Sequence, residues 1–264
     1  MLLKRVTAIL LMCLAAPGIS EGLSQQRIEQ FYLSNLKEDG TRDWEITGNE
    51  AMVYEKHVDI DRMNAKFFGD GDTVSVKSNK AKLIKESANV FLREDVEIEN
   101  QQGMKMNTES LDWIRSDNKI ETDEWVQVQR DDMQVRGKGL RADTALKNID
   151  FNKDIELQIP QGQKYISIRC EGPLEIQYHQ GTALFRKNVV VTDRKSKLFS
   201  DRAKVHFDPE SKEIRRIVAE GHVKIIRDEN VTFAEKATYM GKEGRVILEG
   251  TPRLIYFPNS EETE

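Results

Sequence analysis

Short apolar–polar–apolar triplets recur along this sequence and constrain its fold more than any other feature. Val74-Ser-Val76, Val96-Glu-Ile98, Met104-Lys-Met106, Val126-Gln-Val128, Met133-Gln-Val135, Ile166-Ser-Ile168 and Val223-Lys-Ile225 all follow the pattern. Side chains on a strand alternate between its two faces, so each triplet buries one face and wets the other. Turn formers separate the triplets: Glu38-Asp39-Gly40, Gly69-Asp70-Gly71-Asp72, Gln101-Gln102-Gly103, Ser116-Asp117-Asn118, Gly137-Lys-Gly139, Asp208-Pro209 and Gly241-Lys-Glu-Gly244. Even Asn79–Ala88, helical by composition, lies between strand-like neighbours and reads as strand. Residues 21–30 are polar and read as a helical or frayed lead-in. The apolar fraction is 38 % and the charged fraction 32 %, which suits sheets wetted on one side better than one thick core.

The triplets are loosely periodic. Val96, Val126, Ile155, Val189 and Val223 stand 30, 29, 34 and 34 residues apart, each followed two places on by another apolar residue. A second line of small residues runs through Ala51, Ala81, Ser110, Ala142, Ala203 and Ala237. A unit of about 30 residues holds roughly three strands, and such units stack one upon the next. The spacing stretches near Pro160-Gln-Gly162, which predicts one array over 28–160 and a second over 163–258, followed by an acidic disordered tail at 259–264.

Lys4 and Arg5, the apolar stretch Val6–Ala16 and the small residues Gly18-Ile-Ser20 have the form of an export signal over residues 1–20. The stretch is shorter than the roughly 20 residues that span a bilayer. It therefore reads either as a cleaved signal peptide or, over residues 6–19, as a short inner-membrane anchor. Loss of Lys4 and Arg5 would take the net charge from −5 to −7. An acidic chain does not suit sequence-independent nucleic-acid binding, which needs a basic surface. With Cys13 in the signal, Cys170 stands alone and predicts an inert buried thiol.

The residues also resemble a known family. The second array reads Leu198-Phe-Ser-Asp-Arg-Ala203-Lys-Val205, Ile214-Arg-Arg-Ile217-Val-Ala219-Glu-Gly221-His-Val223-Lys-Ile225, Val231-Thr-Phe233-Ala-Glu-Lys-Ala237-Thr-Tyr239 and Leu248-Glu-Gly250-Thr-Pro252-Arg-Leu254. This order resembles the OstA-like repeat of the LptA family of lipopolysaccharide-transport proteins. The first array resembles the LptC family through Trp44-Glu-Ile46, Asn89-Val-Phe-Leu92 with Asp95-Val96, Leu111-Asp-Trp113, and Gly139-Leu-Arg-Ala142 with Ile149-Asp-Phe151. Together the likeness spans 31–257. The N-terminal apolar run is shorter than the anchor typical of LptC, and the second array is shorter than a whole LptA domain.

The resemblance implies an all-β, elongated antiparallel β-jellyroll of two facing sheets, as two rolls or one continuous roll. It implies a periplasmic, non-enzymatic protein that binds lipopolysaccharide and moves it from the inner to the outer membrane, with acyl chains between the sheets. Its implied partners are the inner-membrane ABC exporter, other jellyroll bridge proteins joined edge to edge, and the outer-membrane lipopolysaccharide translocon. The docking edges expected are Phe31–Leu36 with Trp44–Ile46, and Arg253–Phe257. Candidate lining residues are Val74, Val76, Val96, Ile98, Met104, Met106, Val126, Val128, Met133, Val135, Ile166, Ile168, Val223 and Ile225. The same residues would fill the core of any sandwich, and both readings stand at this level.

Other chemistry finds little support. His57, His179, His206 and His222 lack ligand spacing, and Gly69-Asp70-Gly71-Asp72 lacks the distal Glu of a calcium loop. Neither a nucleophile elbow nor a phosphate-cradling glycine loop occurs, so no cofactor, metal or catalytic residue is expected. A structural or adhesion β-repeat module, and a glycan-active enzyme with paired carboxylates, are the alternatives.

Overall fold

The computed structural model describes residues 25–257 except 69–72, 102, 131–132, 144–146, 162–163 and 212. The signal or anchor at 1–20, the Gly69–Asp72 turn and the tail at 259–264 lie outside the described residues.

The fold is all-β and antiparallel, as the alternation predicts, with one short 3-10 turn at Tyr178–Gln180 among the described residues. The chain divides into two compact units, 1–131 and 132–264. The first contains β1 (Gln26–Leu36), β2 (Arg42–Val53), β3 (His57–Phe68), β4 (Thr73–Ile84), β5 (Val90–Asn100), β6 (Met104–Ile114) and β7 (Lys119–Arg130). They form a meander in which each strand pairs with the next. The second unit contains β8 (Met133–Asp143), β9 (Asn148–Gln161), β10 (Lys164–Cys170), β11 (Leu174–Gln177), β12 (Thr182–Thr192), β13 (Ser196–Phe207), β14 (Ile214–Arg227), β15 (Asn230–Met240), β16 (Arg245–Glu249) and β17 (Arg253–Ile255). Here β10 and β11 behave as one interrupted strand, since both pair with β9 and β12. Likewise β16 and β17 both pair with β15. Pro160 and Gln161, where the spacing changes, close β9, which pairs with β10 inside the second unit.

Residues 26–30 are strand rather than helical or frayed. Gln26–Glu29 pair in register with Val53–Glu50, and Arg27 reaches Glu50 at 2.7 Å. Ladder bonds to β2 override the weak local propensity of this polar stretch. Trp44–Ile46 is likewise not at an edge, because β2 is flanked by β1 and β3.

Mid-strand corners shape the sheet. Leu92 and Val96, Phe151 and Ile155, and Phe185 and Val189 are buried pairs four residues apart. On a straight strand the residue midway would share their face, yet Glu94, Lys153 and Lys187 are exposed. The backbone enters the left-handed region at Glu94 and Asp95, at Asp154, and at Lys187 and Asn188. Cross-strand register shifts beside Glu94–Asp95 and Lys187–Asn188. Asp and Asn tolerate positive φ better than most side chains, which explains their place directly before Val96, Ile155 and Val189. In β14 the corner is Gly221-His222 between buried Ala219 and Val223. At Gly221, φ is +80°, and a Cβ there would run into the Asp201 side chain. The corners bend the strands so that both arms of each keep one interior on the same side.

Candidate functional site: the interior apolar rows

The interior face is a set of cross-strand rows. In the first unit one row reads Leu33, Ile46, Ala65, Val76, Ile98, Met106 and Val128, each opposite the next. At about 4.8 Å per strand it extends roughly 29 Å. It joins four of the residues singled out from sequence: Val76, Ile98, Met106 and Val128. A row farther from the corner holds Trp44, Phe67 and Val74, and Met104 lies opposite Arg130. Nearer the corner stand Val96, Thr108 and Val126. On the other arm a row of alternating size runs Ile28, Ala51, Ile60, Ala81, Leu92 and Leu111.

Depth varies along each strand in a regular way. Val96, Val126, Ile155, Val189 and Val223, the periodic line of the sequence, are all sealed from solvent. Their partners two residues on, Ile98, Val128, Leu157, Val191 and Ile225, are only half-buried. Val74 and Met104 are half-buried too, while Val76 and Met106 are buried. Away from the corner, then, apolar side chains face inward yet still meet water.

In the second unit the corresponding row is Val135, Leu157, Ile168, Val191, Leu198, Ile225, Thr232 and Leu254. Ile166 lies opposite Ile159, and Val223 opposite Ala234. Met133 and Val135 are half-buried, while Ile166, Ile168 and Val223 are buried. On the other arm Leu140, Phe151, Leu174, Phe185, Ala203, Ala219, Ala237 and Leu248 form one row. Ala219 and Ala237 pack with Val223, Leu198 and Ile225, so the two arms close on each other there. Cys170 is buried beside this lining. Its thiol donates to the Gly172 carbonyl at 3.2 Å, and desolvation pushes its pKa up to about 11.

The outward face is charged and paired. Lys80 meets Asp61 at 2.7 Å, Arg202 meets Glu220 at 2.8 Å and Lys236 meets Glu249 at 2.6 Å, each directly across strands. Exposed pairs of this kind add little stability and chiefly fix register. A surface depression outside the second unit's corners is lined by the polar and charged residues Glu171, Arg186, Lys187, Asn188, Asp201 and Arg202. Among the described residues, no group of three or more His, Cys, Asp or Glu is placed to hold a metal ion. No helix among them is long and apolar enough to cross a membrane.

Sequence reasoning left Trp44, Ile46, Ala65 and Phe67 out of the inward-facing rows. The alternation of Trp44-Glu-Ile46 was a usable signal. Ala65-Lys-Phe67 was masked by its small first member.

Residues 25–159 match a family model described as lipopolysaccharide-assembly, LptC-related. The chain belongs to the LptC-related family. A second model, described as LptA/(LptD N-terminal domain) LPS transport protein, matches residues 173–262. No individual curated protein matches the chain. The LptC-related match runs from β1 through most of β9, and the LptA-type match covers β11 to β17. Both halves of the expected arrangement are thus present, in the expected order. This LptC-related chain takes part in lipopolysaccharide transport.

Proposed function

We propose that the chain is a periplasmic carrier that seats the acyl chains of lipopolysaccharide against its inward rows, without altering the lipid. One observation carries this reading. Ile46, Ile98 and Val128 belong to a continuous inward apolar row and yet remain half-exposed. A sandwich core would bury them, and a wet strand face would make them polar. Each methylene that such a surface shelters contributes roughly 0.8 kcal/mol, so several acyl chains bind with a large driving force.

The edges supply the second part. β1 presents Ile28, Tyr32 and Leu36 to solvent, the last strands present Val246, Ile247 and Leu254, and Tyr256 and Phe257 follow them, also exposed. Exposed apolar edge strands favour strand addition, so these edges join other jellyroll proteins into a bridge. The inner-membrane ABC exporter would load the lipid, and the outer-membrane translocon would receive it. Residues 1–20 direct export, with 6–19 as the segment that could hold the chain to the inner membrane.

The test is photo-crosslinking in cells making lipopolysaccharide. A photoreactive residue at Val128, facing in, should give lipid adducts. The same residue at Gln127, facing out on the same strand, should give none. Equal labelling, or none at Val128 in a folded protein, would favour a structural module instead.

A further inference from the structure

Three side-chain polar atoms on the inward face of the first unit are buried and have no hydrogen-bond partner: Trp44 Nε1, Ser78 Oγ and Trp113 Nε1. Trp44 is 2 % exposed and Ser78 4 %. Strand alternation fixes where they point. Trp44 stands two residues before Ile46, Ser78 two after Val76, and Trp113 two after buried Leu111. Among the described residues of the second unit, no buried side-chain atom is left in this condition.

Ser78 can be compared with two other hydroxyls at register shifts. Thr108 Oγ1 donates to the Ser110 carbonyl at 3.3 Å, and Ser200 Oγ donates to the Arg202 carbonyl at 3.1 Å. Each takes the carbonyl two residues on and so holds its own strand at the shift. Ser78 occupies the same kind of position, between Lys77 and Lys80, and makes no such bond. Its cross-strand neighbour is Met63, and Val76 precedes it on the same face, so nothing polar on that face compensates it. A buried, unpaired hydroxyl is destabilising, and alanine would serve the fold better.

We propose that Ser78 and Trp44 are polar anchors for an oxygen-bearing acyl chain. The Ser78 hydroxyl and the Trp44 indole N–H bond to a hydroxyl or carbonyl oxygen carried on the hydrocarbon. The first unit therefore prefers such chains to plain alkyl ones. This rests on the carrier reading above and specifies what kind of chain it takes. A plain chain leaves both groups unpaired, whereas an oxygenated one satisfies them, and a lining with fixed polar groups discriminates on that basis.

The experiment uses the full chain and a fluorescent fatty-acid probe displaced by octadecanoic acid or by hydroxyoctadecanoic acids differing in hydroxyl position. At least one hydroxy isomer should compete about 5–10-fold better than octadecanoic acid, the scale of one added hydrogen bond. Ser78→Ala should bring that ratio to within about twofold of unity, with a urea midpoint no lower than the parent's. Trp44→Phe should do the same for isomers substituted at another depth. Equal competition by every acid, or a preference that survives both substitutions, overturns the anchor proposal alone. Failure of all the acids to displace the probe overturns the carrier reading and this proposal with it.

Discussion

Val126 and Val128 share a strand and a face, two positions apart, but only Val126 is sealed from solvent. Truncating Val126 to Ala removes two buried methylenes and leaves a cavity, at a cost of about 2–3 kcal/mol. Val128→Ala should cost under about 1 kcal/mol, because half that surface already meets water. Urea unfolding of the two variants measures the difference, and equal losses would mean that the outer row is core. The periodic Val and Ile positions were legible in the sequence because the corner motif repeats around them. The unpaired state of Ser78 was not. A serine in a strand reads the same whether or not its hydroxyl finds a carbonyl, and that depends on register two strands away.

Turns and corners belong to the scale of the element. The connection from β13 to β14 is held by Asp208, whose carboxylate accepts the backbone N–H groups of Glu210 and Ser211 and pairs with Arg215. These bonds lower its pKa from 3.8 to about 2, the Ser211 amide being the largest cause. A carboxylate with a depressed folded pKa stabilises the fold above its unfolded value and loses that effect as pH falls through the folded one. Asp208→Asn should therefore lower the urea midpoint at pH 7, and the gap from the parent should shrink between about pH 4 and pH 2. A gap that does not change with pH would show that the charge is not the cause. The Asp208-Pro209 turn was readable from its residue types. The corners were not read as corners, since Glu94-Asp95 and Lys187-Asn188 look like ordinary charged strand residues until their φ angles are known. The polar stretch before Phe31 misled for the opposite reason, because an edge strand is held by backbone bonds that need no apolar pattern.

Over the whole molecule, the two units differ in how fully they are filled. Of the largest fully buried side chains among the described residues, Phe151, Ile155, Ile168, Leu174, Phe185, Val189 and Val223 belong to the second unit, and Val96 and Val126 to the first. Local opening free energy follows buried contacts, so amides of β9 to β14 should exchange with deuterium more slowly than those of β3 to β6. Exchange measured by mass spectrometry tests this, and slower exchange in β3 to β6 would contradict it. The strand class and the order of the two family segments could be read from sequence, because alternation and repeat spacing are local. The inward rows of the first unit have a kinetic corollary for the carrier proposed above. Ile98, Met106 and Val128 offer like surfaces at neighbouring berths about 4.8 Å apart, so a hydrocarbon tail that shifts sideways by one strand loses little of its shelter. Between the Ser78 and Trp44 anchors, a passenger on such a lining glides under a gentle push, because no apolar berth there grips it hard enough to stop it.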